Sequence, residues 1–127
     1  MTGFTSLQAE VSGGAKNHLI ISSNTNNAAL VKSTAGQVLG WYITNTNAAV
    51  RYVKLYNKAT SPTVGTDTPV LTIPIPGNTA GAGCTVFIPT GIDEFPNGIG
   101  IGIVTGVAHS DNTAVAANEI VVNLFYK

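Results

Sequence analysis

The chain has 127 residues, of which only 9% are charged, and its six Lys and Arg balance six Asp and Glu to a formal net charge of zero. With 44% apolar residues, a chain of this length can bury the core of a single domain. Nucleic-acid binding depends largely on basic side chains that neutralise phosphates, so the balanced charge argues against a nucleic-acid partner. Weakly charged surfaces tend to associate, which favours a protein that works inside an assembly.

Cysteine content and hydropathy restrict the class further. Cys84 is the single cysteine, so no disulfide can form within the chain and no cysteine metal cluster is expected. It stands in the apolar stretch GCTVFIP (83–89), which predicts a buried thiol without chemistry. No apolar run reaches the roughly 18 residues of a membrane span. The start, MTGFTSLQAE, lacks the basic and then apolar pattern of a signal peptide, so we expect synthesis in a cytoplasm and no membrane partner.

Residues 1–27 are predicted to form an extended N-terminal arm. The turn-forming sequences SGGAKN and SSNTNNAA dominate this segment, and only HLIIS (18–22) has the composition of a short strand. Such an arm becomes ordered against its own domain or against a neighbour. We expect apolar anchors, Phe4 and Leu7 among them, to contact a partner or a neighbouring subunit.

Residues 28–127 are predicted to form one all-β domain. Gly, Pro, Asn and Thr turns separate short strands, and no segment has sustained helical periodicity. Even DNTAVAANE (111–119) is expected to be a loop. Seven or eight strands at this spacing predict a β-sandwich or jelly roll. The candidate strands are 28–33, 37–45, 49–57, 69–75, 83–88, 98–105 and 118–126.

Two strands show which side faces the core. In 37–45, alternation predicts that Leu39, Trp41 and Ile43 share one face and that Val38 and Tyr42 lie on the other. In NGIGIGIVTG, the isoleucines share one face, and glycines fill the other: Gly98, Gly100 and Gly102. Glycine weakens a strand interior, so this bare face needs a reason. Either another backbone or aromatic ring packs closely against it, or the strand is bulged or strongly bent.

The stretch VRYVKLYNKAT (50–60) also has two unlike faces. Val53 and Leu55 form a plausible core pair, and Tyr52, Lys54 and Tyr56 lie opposite. Three interpretations of the second face stay open, namely a solvated outer face, a protein–protein contact, and stacking on sugar or single-stranded nucleic acid. We predict the protein contact, with an acidic group of the partner opposite the Lys54 ammonium.

Candidate chemistry is sparse. His109, Ser110 and Asp111 are adjacent, but neighbours on a loop seldom converge as a triad does, and a polar loop with an Asx turn is the favoured interpretation. Asp93 and Glu94 are alternative Ca²⁺ ligands together with Asp111, although such sites need several converging oxygens. GIGIG has no helix or Lys after it to make a phosphate loop. We predict no catalytic, metal or cofactor site and no enzymatic activity.

Two longer stretches resemble a known family. NAALVKSTAGQVLGWYITNTNAAVRYVKLYNKATSPTVGTDTPVLTIPIPG and FPNGIGIGIVTGVAHSDNTAVAANEIVVNLFYK look like small head-associated virion structural proteins of tailed bacteriophages. The recurring features are ALVKS, RYVKLYNKA followed by PTVGTDTPV, an IP turn before glycine and the final strand. The resemblance covers roughly residues 27–127 and omits the arm. It implies a β-sandwich that binds an assembled shell, and it transfers no catalytic residue.

These observations lead to two functional hypotheses. The first is a capsid decoration (cement) protein, a homotrimer in the virion, bound to the outer surface of the major capsid protein lattice. The alternative is a receptor- or glycan-binding module of a tail or head fibre, suggested by the Tyr face, Trp41 and the many Asn and Thr side chains. Deleting residues 1–16 is expected to weaken particle binding while the isolated domain stays folded.

Overall fold

The computed structural model describes residues 14–127, which form a β-sandwich of eight strands in two antiparallel sheets. The predicted all-β class is confirmed. Sheet A has the strand order β1-β8-β3-β6, and sheet B has the order β2-β7-β4-β5. Among the described residues, no helix has the length and apolar character needed to cross a bilayer. The strands are β1 (Lys16–Ile21), β2 (Ala29–Lys32), β3 (Gly36–Asn45), β4 (Arg51–Asn57), β5 (Leu71–Ile75), β6 (Ala82–Phe95), β7 (Ile99–Val104) and β8 (Ile120–Tyr126).

The strand pairings are nested. β4 pairs with β5, β3 with β6, β2 with β7 and β1 with β8. The chain therefore runs like one long hairpin that is folded across the two sheets. β3 also pairs with β8, and β4 pairs with β7, and these contacts join the nested pairs into two four-stranded sheets.

The hydrophobic core lies between the inner faces of the two sheets. Val53 and Leu55 of β4 are fully buried in it, which confirms the predicted core pair. The isoleucines of β7 are likewise fully buried, as their alternation with glycine predicts. Burial of each such aliphatic side chain contributes about 1.5–3 kcal/mol to folding. The other buried members include Val38, Trp41, Ile43, Ile73, Ile75, Phe95, Ile120, Val122 and Leu124.

A register shift in β3 corrects the predicted inner face of that strand. Val38 pairs with Tyr126 and Gly40 with Phe125, so β3 has one extra residue, Leu39, at this point. Such a bulge reverses the alternation of side chains on either side of it. Val38 is therefore fully buried with Trp41, and Leu39 is only half-buried, contrary to the prediction for these two positions.

The sandwich begins earlier than the predicted boundary between residues 27 and 28. β1 pairs with β8 from Lys16 onward, so this part of the predicted arm is a strand of sheet A. After β1, the buried Ser22 hydroxyl accepts hydrogen bonds from the backbone N–H groups of Glu119 and Ile120, both at 3.0 Å. The same hydroxyl donates to the carbonyl oxygen of Ala116 at 2.8 Å. Phe4 and Leu7 lie outside the described residues.

Candidate functional site

The outer face of sheet B is covered by two loops of the same chain, 58–70 and 105–119. Lys54 is fully buried, and only 1% of Tyr56 is exposed, since this ring packs against Val64 and Val104. The predicted partner contact is therefore wrong for Lys54 and Tyr56, and a solvated face is equally wrong for them. Tyr52 packs at the margin of this cluster and stays half-buried, so its contact with a partner remains a prediction.

The ammonium group of Lys54 is held inside the molecule. Its Nζ donates a hydrogen bond to the carbonyl oxygen of Ala108 in the 105–119 loop. Burial lowers the pKa of Lys54, and the nearby Asp111 carboxylate acts in the opposite direction. Within residues 14–127, Lys54 forms no ion pair with an acidic group; its partner is the Ala108 carbonyl oxygen, and the charge of Asp111 offsets the effect of burial only in part.

The 58–70 loop is fixed over Tyr56 by an ion pair. Lys58 Nζ lies 2.6 Å from Asp67 Oδ2, and the backbone N–H of Thr63 donates to the same oxygen at 2.7 Å. These two hydrogen bonds lower the pKa of Asp67. Burial raises the pKa of Tyr56 to about 12, with a smaller contribution from Asp67. The buried Tyr56 hydroxyl has no hydrogen-bond partner within residues 14–127.

The bare glycine face of β7 is explained by close approach. A Cβ atom on Gly102 would lie 2.6 Å from Cγ2 of Val64, and one on Gly100 would lie 3.0 Å from Cδ of Pro62. The strand itself keeps a continuous register with β4 from Val104 to Ile99. The first of the two interpretations is therefore confirmed: the 58–70 loop and the Tyr56 ring occupy the space that side chains would need.

His109, Ser110 and Asp111 form an ordinary turn. The backbone N–H of Asp111 donates to the carbonyl oxygen of Ala108 at 3.0 Å, and that of Thr113 donates to Asp111 Oδ1 at 2.9 Å. The second bond is the predicted Asx turn. In the part of the chain that the structure describes, no three His, Cys, Asp or Glu side chains come together as metal ligands. Cys84 is half-buried, and burial raises the pKa of its thiol.

The outer face of sheet A, in contrast, is open. Over residues 17–21, 40–44, 83–87 and 121–125, strand register and alternation place only aliphatic, aromatic, amide or hydroxyl groups and glycine on this face, without a charge. We call this surface the uncharged face. Its residues are Asn17, Leu19 and Ile21 of β1, Val121, Asn123 and Phe125 of β8, Gly40, Tyr42 and Thr44 of β3, and Gly83, Thr85 and Phe87 of β6.

Large apolar groups on the uncharged face are accessible to solvent. The exposed fractions are 55% for Leu19, 57% for Ile21, 52% for Tyr42 and 69% for Phe87. An amide hydrogen bond from Asn17 Nδ2 to Asn123 Oδ1, at 3.0 Å, crosses from β1 to β8 between them. Several large exposed apolar side chains on one sheet face are typical of a site of association with another molecule.

The uncharged face was not predicted from the sequence. The Tyr and Lys residues of β4 are more conspicuous in the sequence, but the 58–70 and 105–119 loops cover Lys54 and Tyr56. A usable signal was present, since the outward positions of three sheet A strands, such as Tyr42, Phe87 and Phe125, are as uncharged as the inward ones. A strand that is apolar on both faces is normally buried on both faces.

A scan against protein-family models, a search of curated proteins and a search of solved structures found no match to this chain.

Proposed function

We propose that this protein is a structural component of a tailed-bacteriophage virion, a decoration protein that binds the outer surface of the major capsid protein lattice and stabilises the shell. The observation that carries the proposal is the uncharged face, because large apolar side chains exposed together on one uncharged sheet face are typical of an interaction site. The resemblance of residues 27–127 to head-associated virion proteins supplies the class of partner.

The nested strand order supports the proposal by analogy. We infer that eight strands in the orders β1-β8-β3-β6 and β2-β7-β4-β5 form a jelly roll. Viral capsid and lectin domains are common users of this architecture. Because one fold hosts many functions, this architecture fits both the capsid-binding and the glycan-binding hypothesis and does not separate them.

Burial of the uncharged face would provide the binding energy. Fully burying an aliphatic or aromatic side chain contributes about 1.5–3 kcal/mol, and Leu19, Ile21 and Phe87 are each more than half exposed. As a homotrimer, the protein would present three such faces and bridge neighbouring capsomers where internal pressure opens the lattice. Simultaneous engagement of linked sites raises avidity well above the affinity of one site.

The test compares particles with and without the protein. We expect shells that lack it to assemble and to rupture at lower temperature or on dilution of salt. Leu19→Lys with Phe87→Lys should abolish both particle binding and the gain in rupture temperature. The matched control is Val107→Lys, which places a charge at a 61% exposed apolar residue in the 105–119 loop. Equal rupture temperatures with and without the wild-type protein would contradict the proposal.

A glycan-binding module of a fibre is the second candidate. Tyr42 is half exposed beside the Asn17–Asn123 amide pair, and an aromatic ring with neighbouring amides offers stacking and hydrogen bonds to a sugar. Copy number discriminates between the candidates. Hundreds of copies per particle, measured by gel densitometry against the major capsid protein, indicate a shell component, and a handful indicate a fibre.

A further inference from the structure

Sheet A ends in β6, an edge strand that carries unusual side chains for its position. No other strand within residues 14–127 pairs with its outer edge. Exposed edges usually carry charges or proline, which prevent pairing with another chain. The segment from Ala82 to Ile88 has neither, and such residues begin only with Pro89, followed by Asp93 and Glu94, in the second half of β6.

None of the other three edge strands contains seven successive residues without charge or proline. β1 carries Lys16, β2 carries Lys32, and β5 has the exposed Pro74, which lacks a backbone N–H. On β6, by contrast, Val86 is 36% exposed and Phe87 is 69% exposed. Valine and phenylalanine favour strands, so this segment is already shaped to accept a further strand.

We propose that β6 pairs through its free edge with β6 of a second copy of this chain. The two strands run antiparallel around a two-fold axis over residues 82–88, and the two sheets A become one continuous sheet of eight strands.

Charge, length and symmetry favour a second copy of this chain as the partner of the β6 edge. An antiparallel pair of identical strands places the same surface on both sides, which is the self-complementary contact of a two-fold dimer. Because residues 82–88 are uncharged, no like charges meet across the axis. The two segments have the same length, so each outward-facing backbone N–H and C=O group of residues 82–88 finds a partner on the other copy. Pairing with β1, β2 or β5 would bring Lys16, Lys32 or Pro74 into the contact.

The geometry also explains the exposure of Phe87. Side chains of adjacent antiparallel strands lie about 4.5–5.5 Å apart at their Cβ atoms. The side of Phe87 away from β3 would then face the second β6, where pairing over residues 82–88 sets Gly83 opposite it and Thr85 diagonal to it. The contact shares Phe87 with the surface proposed for capsid binding, but its test needs no phage particle, so the two proposals can fail separately.

The test measures the molecular mass of the full chain in solution, by analytical ultracentrifugation and native mass spectrometry. A two-fold contact requires an even number of chains, so the proposed trimer is compatible with it only in a six-chain particle. Thr85→Lys places a charge on the exposed outer side of β6 and should raise the dissociation constant at least tenfold. The control is Asn17→Lys, which adds the same charge to the same face on β1 and should leave the mass unchanged.

Hydrogen exchange of the wild-type protein provides an independent reading if Thr85→Lys fails to fold. In a free edge strand, alternate amides exchange with solvent, whereas pairing on both sides protects all of them. We expect the amides of residues 83–88 to exchange at least tenfold more slowly at high than at low protein concentration. A monomer, a three-chain particle, rapid exchange of alternate β6 amides in the oligomer, or an oligomer that Thr85→Lys leaves intact would overturn the proposal.

Discussion

The Lys54 ammonium donates a hydrogen bond to the carbonyl oxygen of Ala108, and this contact joins the middle of β4 to the 105–119 loop. In the sequence this part of β4 looks like a surface strip. In the structure it is covered by the loop and belongs to a second, smaller buried layer outside sheet B. It also places a charged group where solvent cannot reach it. Variants at this position should therefore affect stability rather than association.

Lys54→Met is expected to be far better tolerated than Lys54→Ala. Methionine keeps most of the buried stem and removes a desolvated charge, so the free energy of unfolding should change by less than about 1.5 kcal/mol. Alanine leaves a cavity and should lower it by about 2–5 kcal/mol. Urea unfolding at pH 7 measures both. Equal losses in the two variants would show that the ammonium, and not the packing of its stem, stabilises the loop.

The lowered pKa of Lys54 fixes the sign of a pH effect. Between that lowered value and about 10.4, the unfolded chain binds more protons at this residue than the folded chain does. The free energy of unfolding then rises with pH across this window, because unfolding takes up a proton and this uptake becomes less favourable as the proton concentration falls. We expect the stability of the wild-type protein minus that of Lys54→Met to increase from neutral pH toward pH 10. A difference that falls with pH would contradict this.

Tyr56→Phe is expected to stabilise the protein or leave its stability unchanged at pH 7. The variant removes a buried hydroxyl that has no hydrogen-bond partner among the described residues, and such a group costs about 1–3 kcal/mol. Above pH 10 the two proteins should diverge further. The pKa of Tyr56 is raised to about 12, so the unfolded chain loses this proton first and wild-type stability falls as pH rises from 10 to 12.

Urea titrations of the wild type and Tyr56→Phe at pH 7, 9, 10 and 11 measure this effect. A shift of two pKa units corresponds to a loss of about 2.7 kcal/mol in wild type by pH 12. Subtracting the Tyr56→Phe profile removes the contributions of the other titrating groups. Parallel profiles between pH 9 and 11 would show that the Tyr56 hydroxyl is open to water.

Gly102→Ala should destabilise the protein through Val64, and Val64→Ala should relieve the effect. The new Cβ would lie 2.6 Å from Val64 Cγ2, and forcing an extra methyl into a packed site costs about 1–3 kcal/mol. In the double variant the missing methyl groups of Val64 leave room for it. A double-mutant cycle by urea unfolding should give a coupling of about 1 kcal/mol or more.

Gly100→Ala serves as the matched control for that cycle. Its Cβ would contact Pro62 Cδ at 3.0 Å and has no Val64 atom among its three nearest. Val64→Ala should therefore not rescue it. Additive losses for Gly102→Ala and Val64→Ala would mean that the 58–70 loop does not press on β7 in solution.

Ser22→Ala should reveal that β1 belongs to the domain. The variant leaves the backbone N–H groups of Glu119 and Ile120 without their acceptor at a buried site, which costs about 2–3 kcal/mol. Ser23→Ala is the control, because the hydroxyl of Ser23 bonds Thr25 and Asn27 in an exposed turn. Its effect should stay below about 0.5 kcal/mol. Thermal denaturation in which both variants match wild type would place Ser22 outside the cooperative unit.

The strands were largely predictable from sequence because turn residues separate them and alternation marks their core side. Predicted 37–45 and 49–57, for example, contain nearly all of β3 and the whole of β4. Alternation fails at Val38, since a bulge changes the phase of β3 between Val38 and Gly40, and a glycine alone does not show whether a strand is bulged there. The phase of a strand across a bulge depends on its neighbours, Tyr126 and Phe125, which local sequence does not identify.

The site was harder to predict for a related reason. Whether the outer face of a sheet meets water depends on where loops return, and the local sequence does not show that Pro62, Val64 and Ala108 fold back over this face. The same sequence signal, apolar residues on an outward face, describes both Tyr56 under its loop and Tyr42 in the open. Only the three-dimensional arrangement separates a second internal layer from a surface that is free for a partner.

The nested strand order has a consequence for biosynthesis. Ser22, at the end of β1, bonds Ile120, which is 98 positions further along the chain. At a translation rate of about 5–20 residues per second, β1 waits roughly 5–20 s after its own synthesis before β8 emerges. During that interval β3 can pair only with β6, and β1 has no strand to pair with, so sheet A is incomplete. The apolar side chains of β1 and β3 therefore stay accessible to ribosome-associated chaperones until β8 is made. Synthesis of β8 thus determines when the domain can fold.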